Sequence, residues 1–214
     1  MLLQSKVKNF QSIKDEAILS MVPSTDRSHP ENLAQEGNRE AIKTAAIYGA
    51  NAAGKSAVIR AFVAAIMAVR TSDTRNITQK IPGMVPFKFD EETAKAPCSF
   101  EFFFVANDGV PYRYGFTADS DRVQEEYLYF YTSARASRVF ERTGDEFDFN
   151  QASKSTFSEY EEKNTSNKFF LATVTNWGNA KTAPAYQWLA NAIDVYNPEL
   201  AIQPTALQAF EQDE

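Results

Sequence analysis

The chemistry-bearing segment of this chain is Gly49-Ala50-Asn51-Ala52-Ala53-Gly54-Lys55-Ser56, which matches G-x-x-x-x-G-K-[ST] at every fixed position. Each residue type has a physical reason. Gly49 allows a sharp turn, and Gly54 removes a Cβ where backbone must come close to an anion. Ala50, Ala52 and Ala53 are small, so successive N–H groups from residues 51 to 57 are free to point inward and cradle phosphate oxygens. Lys55 carries a flexible ammonium to the β- and γ-phosphates, and the Ser56 hydroxyl is a ligand for Mg²⁺. A helix that begins here adds its unpaired N-terminal amides and dipole. The chemistry is therefore binding of a purine nucleoside triphosphate, ATP with Mg²⁺, at Gly49, Ala50, Asn51, Ala52, Ala53, Gly54, Lys55, Ser56 and Ala57, with Ser56 at the metal.

The surrounding pattern supplies the elements to position that loop. Ala41 to Tyr48 is an apolar run read as a buried central strand, and Ala57 to Arg70 has Val58, Phe62, Ala65, Ile66 and Val69 at helical spacing. Residues 2 to 22 alternate around Lys14-Asp15-Glu16 as a hairpin of two short strands, and residues 23 to 40 read as an exposed loop. The middle of the chain is strongly β. Phe100, Phe102 and Phe104 share one face, Asn107-Asp108-Gly109 is a turn, and Val110 to Phe116 resume the alternation. Further strands run through Glu125 to Tyr131 and Arg138 to Arg142, and Thr143-Gly144-Asp145 turns into Phe147 and Phe149. At period 2 these aromatics form one core face of an antiparallel sheet rather than a base-stacking platform. Lys168 to Trp177 and Pro184 to Tyr196 read as helices, ended by Asn197-Pro198, with a short acidic tail from Gln208 to Glu214.

Composition bounds the remaining functions. Hydrophobic residues at 43% and charged residues at 23% are ordinary for a globular protein, and the net charge of -6 argues against nonspecific nucleic-acid binding over the whole surface. The single cysteine, Cys98, cannot form an internal disulfide and is read as a small buried side chain. The single histidine, His29, is a loop residue. With no apolar stretch of membrane-spanning length and no leader pattern, a cytoplasmic protein is expected. Lys6, Lys8, Arg135 and Arg138 are read as surface charge, and Trp177 and Trp188 as core.

The chain resembles the ABC/SMC-like branch of P-loop ATPases, which includes RecF-type and OLD-family proteins and the AAA-labelled ATPases of bacterial abortive-infection and anti-phage defence systems. Lys8-Asn9-Phe10-Gln11-Ser12-Ile13 is similar to that branch's opening strand, and Ile47 to Ser56 to its loop, with Asn51 as the distinguishing position. Pro86-Phe87-Lys88-Phe89-Asp90, Tyr112 to Phe116, Glu125 to Leu128 and Asn167 to Leu171 are similar to the defence-type subgroup. The resemblance covers roughly residues 1 to 195. It implies a mixed α/β fold: an ABC-type P-loop core over residues 1–98, an antiparallel β-subdomain over 99–150 and a helical segment over 151–214. It implies a nucleotide site extended to Gln11 and Ser12, with Gln11 standing where the branch often carries Arg or Lys. Two nucleotide-binding domains, in a homodimer or with a partner ATPase half, are expected to sandwich ATP and to control an effector nuclease or toxin, or to engage DNA.

No aliphatic run ending in Asp-Glu follows Lys55, and no Leu-Ser-Gly-Gly-Gln-like signature is present; the nearest match to a γ-phosphate-sensing residue is Asn176. The chain is therefore expected to be the N-terminal part of a longer ATPase that does not hydrolyse ATP alone. Two rival readings differ in class. A self-contained P-loop kinase or nucleotide-hydrolysing enzyme would draw on acids between Asp119 and Glu126, and an interaction protein would carry the loop as a vestige.

Overall fold

A computed structural model describes residues 1–51, 53–151 and 154–194. Its frame is a seven-stranded antiparallel sheet in the order β2-β1-β5-β6-β7-β8-β9. The N-terminal hairpin supplies β1 (Leu2–Lys8) and β2 (Ala17–Ser20). The meander follows as β5 (Cys98–Val105), β6 (Pro111–Ala118), β7 (Val123–Phe130), β8 (Ser137–Thr143) and β9 (Glu146–Phe149). β1 pairs with β5, Val7 opposite Phe100 and Ser5 opposite Phe102, so the hairpin and the meander form one continuous sheet.

Alternation decides which face is covered. Phe100, Phe102, Phe104, Tyr114 and Phe116 are all buried on one face. Against them lies α1 (Lys55–Arg70), with Phe62 tilted on Phe102 at 5.5 Å. The buried side of α1 is mostly alanine: Ala57, Ala61, Ala64, Ala65 and Ala68 join Ile66 and Val69. Small residues let the helix backbone sit close to a sheet already filled with phenylalanine, and Val58 and Phe62 are displaced to the flank, half-buried. A four-residue helix, α2 (Lys154–Phe157), precedes α3 (Phe170–Asn176) and α4 (Ala183–Asn191). Trp188 of α4 stacks on Phe104 at 3.8 Å and 10°. Trp177 is not in the core: it is 57% exposed just past α3, with the Lys163 ammonium 4.2 Å from its ring centroid.

Two further expectations are corrected. Within the stretch read as a loop, β3 (Leu33–Glu36) and β4 (Arg39–Ile42) form a hairpin. The two-residue turn Gly37-Asn38, with Gly37 at φ 59°, makes it, a turn signal legible in the sequence. The apolar run Ala41 to Tyr48 is not a central strand. β4 ends at Ile42, and residues 43–50 pair with no strand among the described residues. Tyr48 is 90% exposed. A central strand needs hydrogen-bonding neighbours on both sides, and β1 and β5 are already paired with β2, β6 and each other. Tyr196, Asn197-Pro198 and the acidic tail lie outside the described residues.

Candidate functional site

A buried polar turn links the N-terminal hairpin to the loop before α1. Asn9 and Gln11 adopt left-handed φ of 53° and 49°, and Asn9 is buried. Its side-chain amide donates to the carbonyls of Thr93 (2.8 Å), Ala96 (2.9 Å) and Pro97 (3.1 Å), and its oxygen accepts the Phe87 N–H at 3.0 Å. Phe10 is fully buried, edge-on to Phe100 at 5.5 Å. The Gln11 N–H donates to the Val85 carbonyl at 2.8 Å. These bonds consume the donors and acceptors a left-handed turn would otherwise leave orphaned, and they carry Ser12 to the start of α1.

There Gly54 caps the helix with φ 89° and ψ 6°, in the left-handed region that favours glycine. A Cβ placed on it would sit 3.4 Å from Ser12 Oγ. Gly49 has neither a positive φ nor a crowded Cβ position. The Ala53 N–H donates to the Ala50 carbonyl at 3.2 Å and the Ala57 N–H to the Gly54 carbonyl at 2.9 Å. The N–H groups of Gly54, Lys55 and Ser56 have no backbone partner among the described residues, as the first turn of a helix dictates.

These residues enclose a pocket of about 220 Å³ lined by Ser12, Ala53, Gly54, Lys55, Ser56, Ala57 and Arg60. Two of the seven carry positive charge and none carries a carboxylate. The Lys55 ammonium donates to the carbonyls of Gly49 (2.8 Å) and Ala50 (2.7 Å). Neutral carbonyls are the weaker partner: a phosphate oxygen would offer the same ammonium a charge-assisted bond. Ser56 is exposed, and its hydroxyl has no hydrogen-bond partner among the described residues. A hard divalent cation that keeps several waters and binds substrate phosphates fits such a hydroxyl without a protein carboxylate cage. Among the described residues no cluster of three or more His, Cys, Asp or Glu side chains could hold a metal.

Of the residues singled out from the sequence, Ser12, Ala53, Gly54, Lys55, Ser56 and Ala57 meet at this pocket. Gln11 lines the neighbouring groove, Gly49 and Ala50 hold the lysine through their carbonyls, and Asn51 is exposed on the loop. Ala52 lies outside the described residues. Asn176 ends α3, exposed, and lines no part of the pocket. The acids proposed for a self-contained enzyme are engaged elsewhere. Asp119 accepts the N–H groups of Asp121 (2.7 Å) and Arg122 (2.9 Å) and the Gln124 amide (2.8 Å). Glu126 is fully buried and accepts the N–H groups of Phe170 (2.6 Å) and Leu171 (3.0 Å) and the Tyr114 hydroxyl (3.0 Å). Arg60 was missed: its signal is the i, i+4 spacing from Ser56, which places both on one side of α1.

A search of curated proteins returns no match to the chain. A family model described as "AAA domain, putative AbiEii toxin, Type IV TA system" matches residues 45–207, a span that contains the whole G-x-x-x-x-G-K-[ST] loop and begins after the Asn9–Ser12 turn. Covering well over half of the 214 residues, that match shows that the chain belongs to this family of AAA-labelled P-loop ATPases of abortive-infection systems.

Proposed function

We propose that the chain binds ATP with Mg²⁺ at the Ser12–Arg60 pocket, as a nucleotide-binding unit of an ABC/SMC-like ATPase working in the cytoplasm. One observation carries the reading: a pocket of about 220 Å³ at a helix N-terminus, lined by Lys55, Ser56 and unpaired amides and free of carboxylates. A triphosphate is the anion such a site accommodates, with the amides cradling its inner phosphates, Lys55 on the outer ones and Ser56 on the cation. Gly49, Ala50 and Asn51 shape the loop, and Ser12 and Gln11 approach from the hairpin.

On this reading two such domains close around nucleotide, as a homodimer or with a partner half, and closure controls an effector nuclease or toxin, or engagement of DNA, in anti-phage defence. The ABC-type division into a core and a lateral antiparallel subdomain belongs to the same proposal. Hydrolysis requires acidic groups near the terminal phosphate, and the pocket's own lining has none. A self-contained kinase is disfavoured by the engagement of Asp119 and Glu126 in structural bonds. Among the described residues no helix is long and apolar enough to cross a membrane.

Equilibrium titration with MgATP tests the assignment. The wild-type protein should bind, and Lys55→Ala should bind about tenfold or more weakly, the loss of one charge-assisted contact. No binding by the wild-type protein, or equal affinity in the variant, would overturn it.

A further inference from the structure

The G-x-x-x-x-G-K-[ST] motif assigns nothing to position 60, yet Arg60 stands where two cavities meet. It closes the phosphate-sized pocket with Ser12, Lys55 and Ser56, and it also opens a second, larger groove of about 640 Å³ along α1. Gln11, Val63, Met67 and Pro82 are among the groove's walls, with Val63 and Met67 exposed at 39% and 44%. Arg60 itself is exposed, and it makes no hydrogen bond or ion pair among the described residues. This arginine, in a chain of net charge -6, stands beside a lysine with no acid in the pocket lining, and Asp194, the acid on the groove's lining, forms no ion pair with it among the described residues.

Helix geometry fixes which part of a nucleotide it would meet. Arg60 lies four residues beyond Ser56, about 6 Å further along the helix axis and away from the loop. Lys55 and Ser56 serve the outer phosphates and the cation, so a cation further down α1, at the mouth of the groove, faces the inner end of the phosphate chain. The apolar groove wall beyond it is where a nucleoside can bury a ring face.

We propose that Arg60 is a nucleotide-contacting residue that holds the phosphate nearest the nucleoside and directs the nucleoside into the groove along α1; the proposal rests on the nucleotide-binding reading above. Its planar fork of donors suits two oxygens of one phosphate, which a lysine at the same place would contact only as a point charge.

Calorimetric titration of the wild-type protein, Arg60→Gln and Arg60→Lys with MgATP, MgADP and inorganic tripolyphosphate tests this. Because Arg60 has no partner among the described residues, thermal melting should be unchanged in both variants. Arg60→Gln should weaken all three ligands about tenfold and by similar factors, and Arg60→Lys should recover part of the loss. Unchanged affinity in Arg60→Gln, with the wild-type protein binding normally, overturns the role of Arg60 and leaves the nucleotide site standing. A loss confined to ATP and absent with ADP places the contact on the terminal phosphate and overturns the inner-phosphate assignment. No binding by the wild-type protein removes the nucleotide site and this proposal with it.

Discussion

The sharpest energetic prediction concerns Glu126, because the same carboxylate is either a structural clamp or a spare acid. Both Glu126 and Arg142 are wholly excluded from solvent, 4.0 Å apart. Arg142 spends its other donors on the carbonyls of Gly144 (2.7 Å) and Lys168 (2.7 Å), while Glu126 caps the first turn of α3. The pair thus ties β7 and β8 to α3. Burial pushes the Glu126 carboxyl above the usual carboxylate range, and the Arg142 charge and the two amides oppose that push. In Glu126→Gln one oxygen still accepts the Leu171 and Tyr114 donors. The new NH₂ then faces the Phe170 N–H and the guanidinium, donor against donor. A buried N–H left unpaired costs about 1–3 kcal/mol, and breaking a buried ion pair from one side costs about 3–5 kcal/mol, part of which is the same loss. A total of about 4 kcal/mol is expected against a domain stability of about 5–15 kcal/mol. In urea, with an m-value of about 2 kcal/mol/M, the midpoint should fall by about 2 M at unchanged slope. Under native conditions MgATP affinity should stay at the wild-type value. A midpoint shift below about 0.5 M would refute the clamp. Full stability with impaired nucleotide binding would return Glu126 to the acids available for chemistry.

Gly54→Ala forces a Cβ into a left-handed cap facing Ser12 and should cost about 1–2 kcal/mol of stability in urea unfolding, along with nucleotide affinity. A variant as stable as wild type would mean that the cap relaxes freely. Burial pushes the Cys98 thiol up to about 12, so it should resist a disulfide reagent at pH 8 in the native state and react on unfolding; prompt native labelling would contradict its burial. The Asp90 carboxyl is held at about 2, below its usual 3.8, first by the hydrogen bond from the Lys14 ammonium and then by the Thr93 N–H. A depressed carboxyl contributes stability above its unfolded value and loses it as pH falls through about 2. Lys14→Met should therefore lower the thermal midpoint at pH 5 and make less difference as pH falls towards 2. An equal difference at both would break the linkage.

What was legible in the sequence was what neighbours along the chain decide. The loop from Gly49 to Ser56 needs only eight consecutive residues to bring glycine, ammonium and hydroxyl together, so their spacing is itself the geometry. Period-2 alternation likewise announced β5 to β9, because successive side chains must point to opposite sides of a strand. The two tryptophans sat in equally helical patterns, yet one stacks on Phe104 and the other is exposed; periodicity does not say whether a partner surface exists to cover a residue. The run Ala41 to Tyr48 had the composition of a buried strand, but a strand is completed by hydrogen-bonding neighbours, and the β1–β5 pairing already uses those of the sheet. Asn9 and Glu126 carried no local mark of their structural roles, and the local mark of Arg60 is only its spacing from Ser56. Asn9 is bonded to residues 78 to 88 positions away, and Glu126 to residues 44 and 45 positions away. Such roles arise only when loop closure brings distant donors and acceptors together, so local spacing defined the Gly49–Ser56 bend while the tertiary fold chose what surrounds it.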